Sequence, residues 1–205
     1  NKMQAVICPA YLPNVPYFGW LCSQELVNFV TDTHYQKQTF RNRTPIYGAN
    51  GKLNLTIPIL HTEKEKIQEN AAIISYEMNW QNNHWKSICS AYKSSPYFEF
   101  YEHDLAPFFS EKTTSLFDFN INLIEKIMSL IEHRFTFQKV AWDPKKQIRL
   151  DVFLEAKNPL LLEQEIYTQV FEGKNGFLPN LSVLDVLFNL GPNCANYLKN
   201  AAIFI

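Results

Sequence analysis

The sequence predicts an α/β protein: an N-terminal mixed sheet, made of a parallel strand-helix-strand unit plus a hairpin, is covered by helices, and the C-terminal segment is helical. Three observations carry this. Two short apolar runs, residues 4–8 and 26–30, flank a proline-led segment; residues 52–59 alternate apolar and polar side chains; and residues 116–131 carry an apolar stripe at helical spacing.

Pro9 and Pro13 stop the first run, and Pro16, followed by Tyr17, Phe18, Trp20 and Leu21, suits the first turn of a helix, where a proline loses no needed donor. The 17 residues from 9 to 25 are long enough for a crossover between parallel neighbours, which takes the right-handed form. Further on, Leu53, Leu55, Ile57 and Ile59 mark one face of a strand and Lys52, Asn54 and Thr56 the other. Asn50-Gly51 just before it can adopt positive φ, which makes residues 43–47 the other arm of a hairpin. Residues 72–76 read as another strand.

Trp80, His84, Ile88 and Ala91 recur at near-fourfold spacing, so a helix follows, and then a Pro96-led helical segment through Phe109. Leu116, Leu123, Ile124, Ile127, Met128 and Ile131 form the clearest helical stripe, with Ser115 and Asp118 as its N-terminal capping pair. Ser182 with Asp185 is expected to cap a short apolar helix ended by Gly191 and Pro192. Residues 137–170 show no dominant period and are assigned to strands with irregular connections.

A chain of 205 residues and 24.0 kDa fits one domain spanning residues 1–205. Its 46% hydrophobic content against 19% charged residues supplies a core and excludes a disordered chain. Lys+Arg 19 and Asp+Glu 20 leave a net charge of -1, so no global field favours a polyanion and nucleic acid is not an expected partner. No apolar stretch approaches the ~18 residues of a membrane span, and the first nine residues lack a signal-peptide centre, so membrane insertion is not expected and a cytoplasmic location is. Cys8, Cys22, Cys89 and Cys194 form no CxxC pair, and the histidines lack ligand spacing, so neither metal nor other cofactor is expected. The six glycines build no phosphate-binding or nucleophile-elbow motif.

The most informative feature is a charge void. From Thr33 to Thr62 there is no Asp or Glu, while Lys37, Arg41, Arg43 and Lys52 fall inside it. Such a segment suits a small anionic ligand, because Arg offers paired donors and Lys a mobile charge, although cations also protect an exposed hairpin edge. If residues 41–43 are extended, Arg41 and Arg43 project to one side and grip a single anion together. Asp32 and His34, two apart near the carboxyl end of the second strand, form a candidate catalytic pair, since a carboxylate can orient an imidazole for proton transfer. Cys8 falls at the same sheet edge and reads as packing more readily than as a nucleophile.

Several short motifs carry a family resemblance: Pro9-Ala10-Tyr11-Leu12-Pro13 with Tyr17-Phe18, His34-Tyr35-Gln36-Lys37, Phe40-Arg41-Asn42-Arg43, Gly51 with Leu55-Thr56-Ile57-Pro58-Ile59, and residues 176–185. In order and spacing they resemble WbqC-like proteins over nearly the whole chain. The resemblance implies a bacterial protein of surface-polysaccharide, O-antigen-type biosynthesis, with Tyr11, Tyr35, Lys37, Arg41, Asn42 and Arg43 on motif positions that would bind substrate. It leaves two classes open. One is an acyl or aminoacyl transferase acting on a nucleotide-linked or phosphorylated sugar, which needs a proton-transfer group such as His34; the other is a non-catalytic protein that binds an anionic ligand or serves as a scaffold of a glycan assembly pathway, and needs only the cations and rings. Single-stranded nucleic acid ranks last, because four cations confer little affinity at physiological salt.

Overall fold

A computed structural model describes residues 2–63 and 66–202. Strand β1 (Gln4–Val6) leads into Asn14, whose side-chain oxygen accepts the Tyr17 N–H at 3.1 Å and caps helix α1 (Val15–Ser23), with Pro16 in its first turn. Strand β2 (Val27–Val30) returns parallel to β1: Ile7 N–H donates to the Asn28 carbonyl at 3.0 Å and Val30 N–H to the Ile7 carbonyl at 3.1 Å. The predicted strand-helix-strand unit is therefore present.

Strands β3 (Arg43–Gly48) and β4 (Gly51–Thr56) form the hairpin, in register from Arg43 opposite Thr56 to Gly48 opposite Gly51. Of the turn residues only Gly51 carries a positive φ, 106°, a conformation glycine adopts without strain. The hairpin ladder pairs within itself, so it stands beside the parallel strands as a separate ladder. Leu55 and Ile57 are buried as the alternation requires, whereas Leu53 near the tip is 42% exposed. Residues 72–76 make only isolated bridges, Ile74 to Ile59 and Ile73 to Ser115, rather than the strand their composition suggests.

Helices α2 (Trp80–Tyr92), α3 (Phe98–Leu105) and α4 (Leu116–Leu130) supply the covering layer, and Ser115 caps α4 by accepting the Asp118 N–H. The ambiguous stretch yields β5 (Phe137–Val140), parallel to β2, and β6 (Gln147–Arg149), parallel to β1, so the parallel strands run in the order β6-β1-β2-β5. Residues 155–171 then pass as a largely irregular strap to the short helix α5 (Glu172–Asn175).

Helices α6 (Val183–Leu190) and α7 (Cys194–Asn200) close the chain. Ser182 caps α6 as expected, with its Oγ accepting the Leu184 N–H and donating to the Leu12 carbonyl at 3.0 Å. Asp185 does not share in the cap. It turns into the core and accepts from Tyr92, Tyr167 and Gln169. Gly191 ends α6 with φ 53°, where a Cβ would stand 2.5 Å from the Tyr97 ring, so the turn requires glycine. Among the described residues no helix is long and apolar enough to cross a membrane.

Candidate functional site

Beyond β2 the chain runs extended beside residues 67–70: Asn70 N–H donates to the Thr31 carbonyl (3.0 Å), Glu69 N–H to Thr33 (2.9 Å) and Tyr35 N–H to Ile67 (2.9 Å). Alternation along this run sorts the side chains. Thr33 is buried and Tyr35 lines a cavity, whereas Asp32 and His34 share the opposite face. His34 is exposed and the Asp32 carboxylate accepts the Trp142 N–H at 2.7 Å, so the pair is not brought to the cavity.

The cavity measures about 680 Å³ and is lined by Tyr35, Lys37, Gln38, Asn42, Arg43, Ile59, Leu60, His61, Thr62, Glu63 and Ile67. Nine of these eleven lie within the acid-free segment, so the charge void folds around one hollow. Arg43 makes no ion pair among the described residues, and its Nε is buried without a partner. The Tyr35 hydroxyl and Asn42 Oδ1 are also buried and unpartnered, while Asn42 Nδ2 donates to the Ile57 carbonyl at 2.9 Å and fixes the amide. Burial pushes the Tyr35 hydroxyl up against the pull of Arg41 and Arg43, so it stays protonated as a potential donor. These three atoms belong to residues that line one hollow, and among the described residues each lacks a hydrogen-bond partner.

Arg41 is placed differently. Residues 40–42 turn instead of running extended, which separates the two guanidinium groups expected to act together. Arg41 is only 2% exposed; its Nε donates to Glu69 Oε1 at 2.6 Å and its Nη1 to Thr39 Oγ1 at 3.3 Å. Burial opposes its charge, but the adjoining Glu69 carboxylate more than offsets this and holds its pKa above the ordinary value. Cys8 belongs to the same interior: its Sγ lies 3.7 Å from Thr33 Oγ1, and burial, reinforced by Glu69 and opposed by Arg41, pushes the thiol up to about 12. A thiol so protonated is no nucleophile at neutral pH.

Tyr11 is fully buried, away from the cavity, with its hydroxyl 2.9 Å from His84 Nδ1. His84 Nε2 lies 3.0 Å from the Thr56 carbonyl, which can only accept, so Nε2 carries the proton and Tyr11 donates to Nδ1. Burial pushes His84 down to about 4, against the raising effect of the Thr56 bond. A depressed histidine contributes stability that is fully present above its unfolded value near 6.5 and is lost as pH falls through the folded one, about 3 kcal/mol over that window. Denaturant titrations of wild type and His84→Gln should therefore differ most at neutral pH and converge toward pH 4. The comparison isolates His84, because burial raises the Glu69 and Asp185 carboxyls and gives both proteins a slope of opposite sign.

The fold thus brings Tyr35, Lys37, Asn42 and Arg43 to one cavity and leaves Tyr11, Asp32, His34 and Arg41 outside it. It adds Gln38, His61 and Glu63, which the sequence reading passed over. His61 had a signal: it lies two residues beyond Ile59, in line with the alternation of the preceding strand. Among the described residues no cluster of three or more His, Cys, Asp or Glu is placed to hold a metal ion. A family model, that of the WbqC-like protein family, matches residues 8–157. The chain belongs to the WbqC-like family. The matched span holds helix α1, strands β2, β5 and β6, the hairpin and every residue lining the cavity. This WbqC-like chain is also 24% identical over 230 residues to Uncharacterized protein Rv1507c of Mycobacterium tuberculosis (strain ATCC 25618 / H37Rv), covering 97% of this chain and 98% of that protein. No solved structure matches it.

Proposed function

We propose that this WbqC-like protein binds a small anionic ligand, a phosphorylated or nucleotide-linked sugar, in the 680 Å³ cavity, in the service of surface-polysaccharide biosynthesis. One observation carries the reading: Arg43 is half-buried on the cavity wall with no ion pair among the described residues and its Nε unpartnered there, and Lys37 lies beside the same hollow. A guanidinium offers a phosphate two parallel donors in fixed geometry. Tyr35, Ile59 and Ile67 supply an apolar wall for a ring, and Asn42 and Gln38 supply amides for hydroxyl groups.

Arg43→Lys tests it, since lysine keeps the charge and loses the fork. In titrations with UDP and UDP-glucose the variant should bind about tenfold more weakly, the equivalent of about 1.4 kcal/mol. Its melting temperature should match wild type, because Arg43 has no ion pair among the described residues to lose. Equal binding by both proteins would remove Arg43 from the site and the reading with it. A second reading, a transferase moving an acyl or aminoacyl group onto an amino sugar, draws support from His61 and Glu63 on the cavity lining, two groups able to accept the proton of an attacking amine. Turnover lost in His61→Asn with ligand binding retained would select the transferase; His34, which lies outside the cavity, is not needed by it.

A further inference from the structure

Arg43 also lines a second, smaller pocket of about 110 Å³. One wall is the hairpin face carrying Arg43, Pro45, Asn54 and Lys52, and the other is formed by Ala156, Pro159 and Leu161 of the strap with Pro179 and Asn180 from the segment before α6. The register explains the first wall: Pro45 lies opposite Asn54, Arg43 is two residues from Pro45, and Lys52 two from Asn54, so all four share one side of the ladder. The second wall is pinned by Asn180, which accepts the Leu162 N–H at 2.9 Å and donates to the Leu162 carbonyl at 3.1 Å. Among the described residues no carboxylate lines this pocket and Lys52 makes no ion pair. The cations of the acid-free segment outside the core are thus distributed in a row: Lys37 in the large cavity, Arg43 on the wall common to both hollows, Lys52 in the small one.

We infer that the ligand is a diphosphate ester bound astride Arg43, with its larger organic part in the 680 Å³ cavity and its second phosphate reaching the 110 Å³ pocket beside Lys52. This rests on the reading of Arg43 as the anion contact and narrows it to a substrate class. A single phosphate needs only Arg43 and the large cavity. Two linked phosphates use a second cation beside the first, and the small pocket is otherwise a positively charged hollow with no anion among the described residues to match it.

Inorganic phosphate and pyrophosphate, titrated calorimetrically into the full chain, test the inference without requiring the organic part to be known. Pyrophosphate should bind at least about tenfold tighter than phosphate. Lys52→Gln, an exposed substitution whose melting temperature should not change, should remove most of that advantage while leaving phosphate within about twofold. If pyrophosphate binds no tighter than phosphate, or Lys52→Gln is silent or weakens both alike, while Arg43→Gln weakens both anions, the diphosphate inference fails and the anion site at Arg43 stands. If wild type binds neither anion, or Arg43→Gln leaves both unchanged, the underlying reading fails as well.

Discussion

Replacing Glu69 by alanine should destabilise the protein by about 3 to 5 kcal/mol, the loss that follows when one partner of a buried ion pair is removed and the other is left without compensation. Arg41 and Glu69 are each only 3% exposed at the side chain, and the 2.6 Å contact supplies the only carboxylate that the Arg41 guanidinium meets among the described residues. Arg41 Nη2 is already unpartnered, so the guanidinium has no spare bond with which to absorb the loss. The paired control is Arg41→Met with Glu69→Leu. Removing both charges leaves nothing unsatisfied, so the double variant should recover most of the stability in urea denaturation. A single-variant loss below about 1 kcal/mol would mean that water reaches the guanidinium, and Arg41 would return as a candidate ligand contact.

That pair also shows where the sequence stops being informative. The acid-free segment was legible as a site because its lining is nearly contiguous in sequence, so a local count of charges coincides with a local volume. Which arginine faces the ligand was not legible, because Glu69 lies 28 residues from Arg41, beyond the end of the void, and nothing in residues 33–62 signals it. Tyr11 is a similar case: its partner His84 is 73 residues away, and a tyrosine on a motif position looks the same whether its hydroxyl meets a substrate or a core imidazole. For Asp32 and His34 the alternation was right, but alternation gives two faces without saying which is inner. The backbone bonds to Ile67 and Glu69 decide that, and they turn Tyr35 inward.

The fold divides in the same way. The strand-helix-strand unit announced itself through Asn14, Pro16 and two apolar runs, all local signals. Strands β5 and β6 have four and three residues, lie far in sequence from their partners, and expose part of each strand, so neither length nor periodicity marks them. Residues 72–76 fail for the opposite reason. They are apolar enough for a strand but lie between Ile59 and Ser115, each of which offers one bridge, and no continuous neighbour is present.

Asp185→Ala should cost about 4 kcal/mol, since it strips three buried donors of their acceptor and opens a small cavity. The carboxylate is 1% exposed; Oδ1 accepts from the Tyr92 hydroxyl at 2.9 Å, and Oδ2 accepts from the Tyr167 hydroxyl and from Gln169 Nε2 at 2.8 Å. Gln169 also brackets Leu178, donating to its carbonyl and accepting its N–H, so this cluster fastens the strap and the start of α6 to helix α2. Asp185→Asn keeps one acceptor oxygen and should lose roughly half as much. Its pH dependence identifies the cause. Burial raises the Asp185 carboxyl, and the bonds from Tyr167, Gln169 and Tyr92 only partly oppose it. A folded value above the unfolded one means a contribution that is greatest below the unfolded pKa and is lost as pH rises through the folded pKa. The gap in unfolding free energy between wild type and Asp185→Asn should therefore widen as pH falls toward the unfolded aspartate value of about 4, with His84 common to both proteins and cancelling. A gap that narrows as pH falls through about 4 would show that the donors outweigh burial and that the carboxylate is held ionised by the tyrosines.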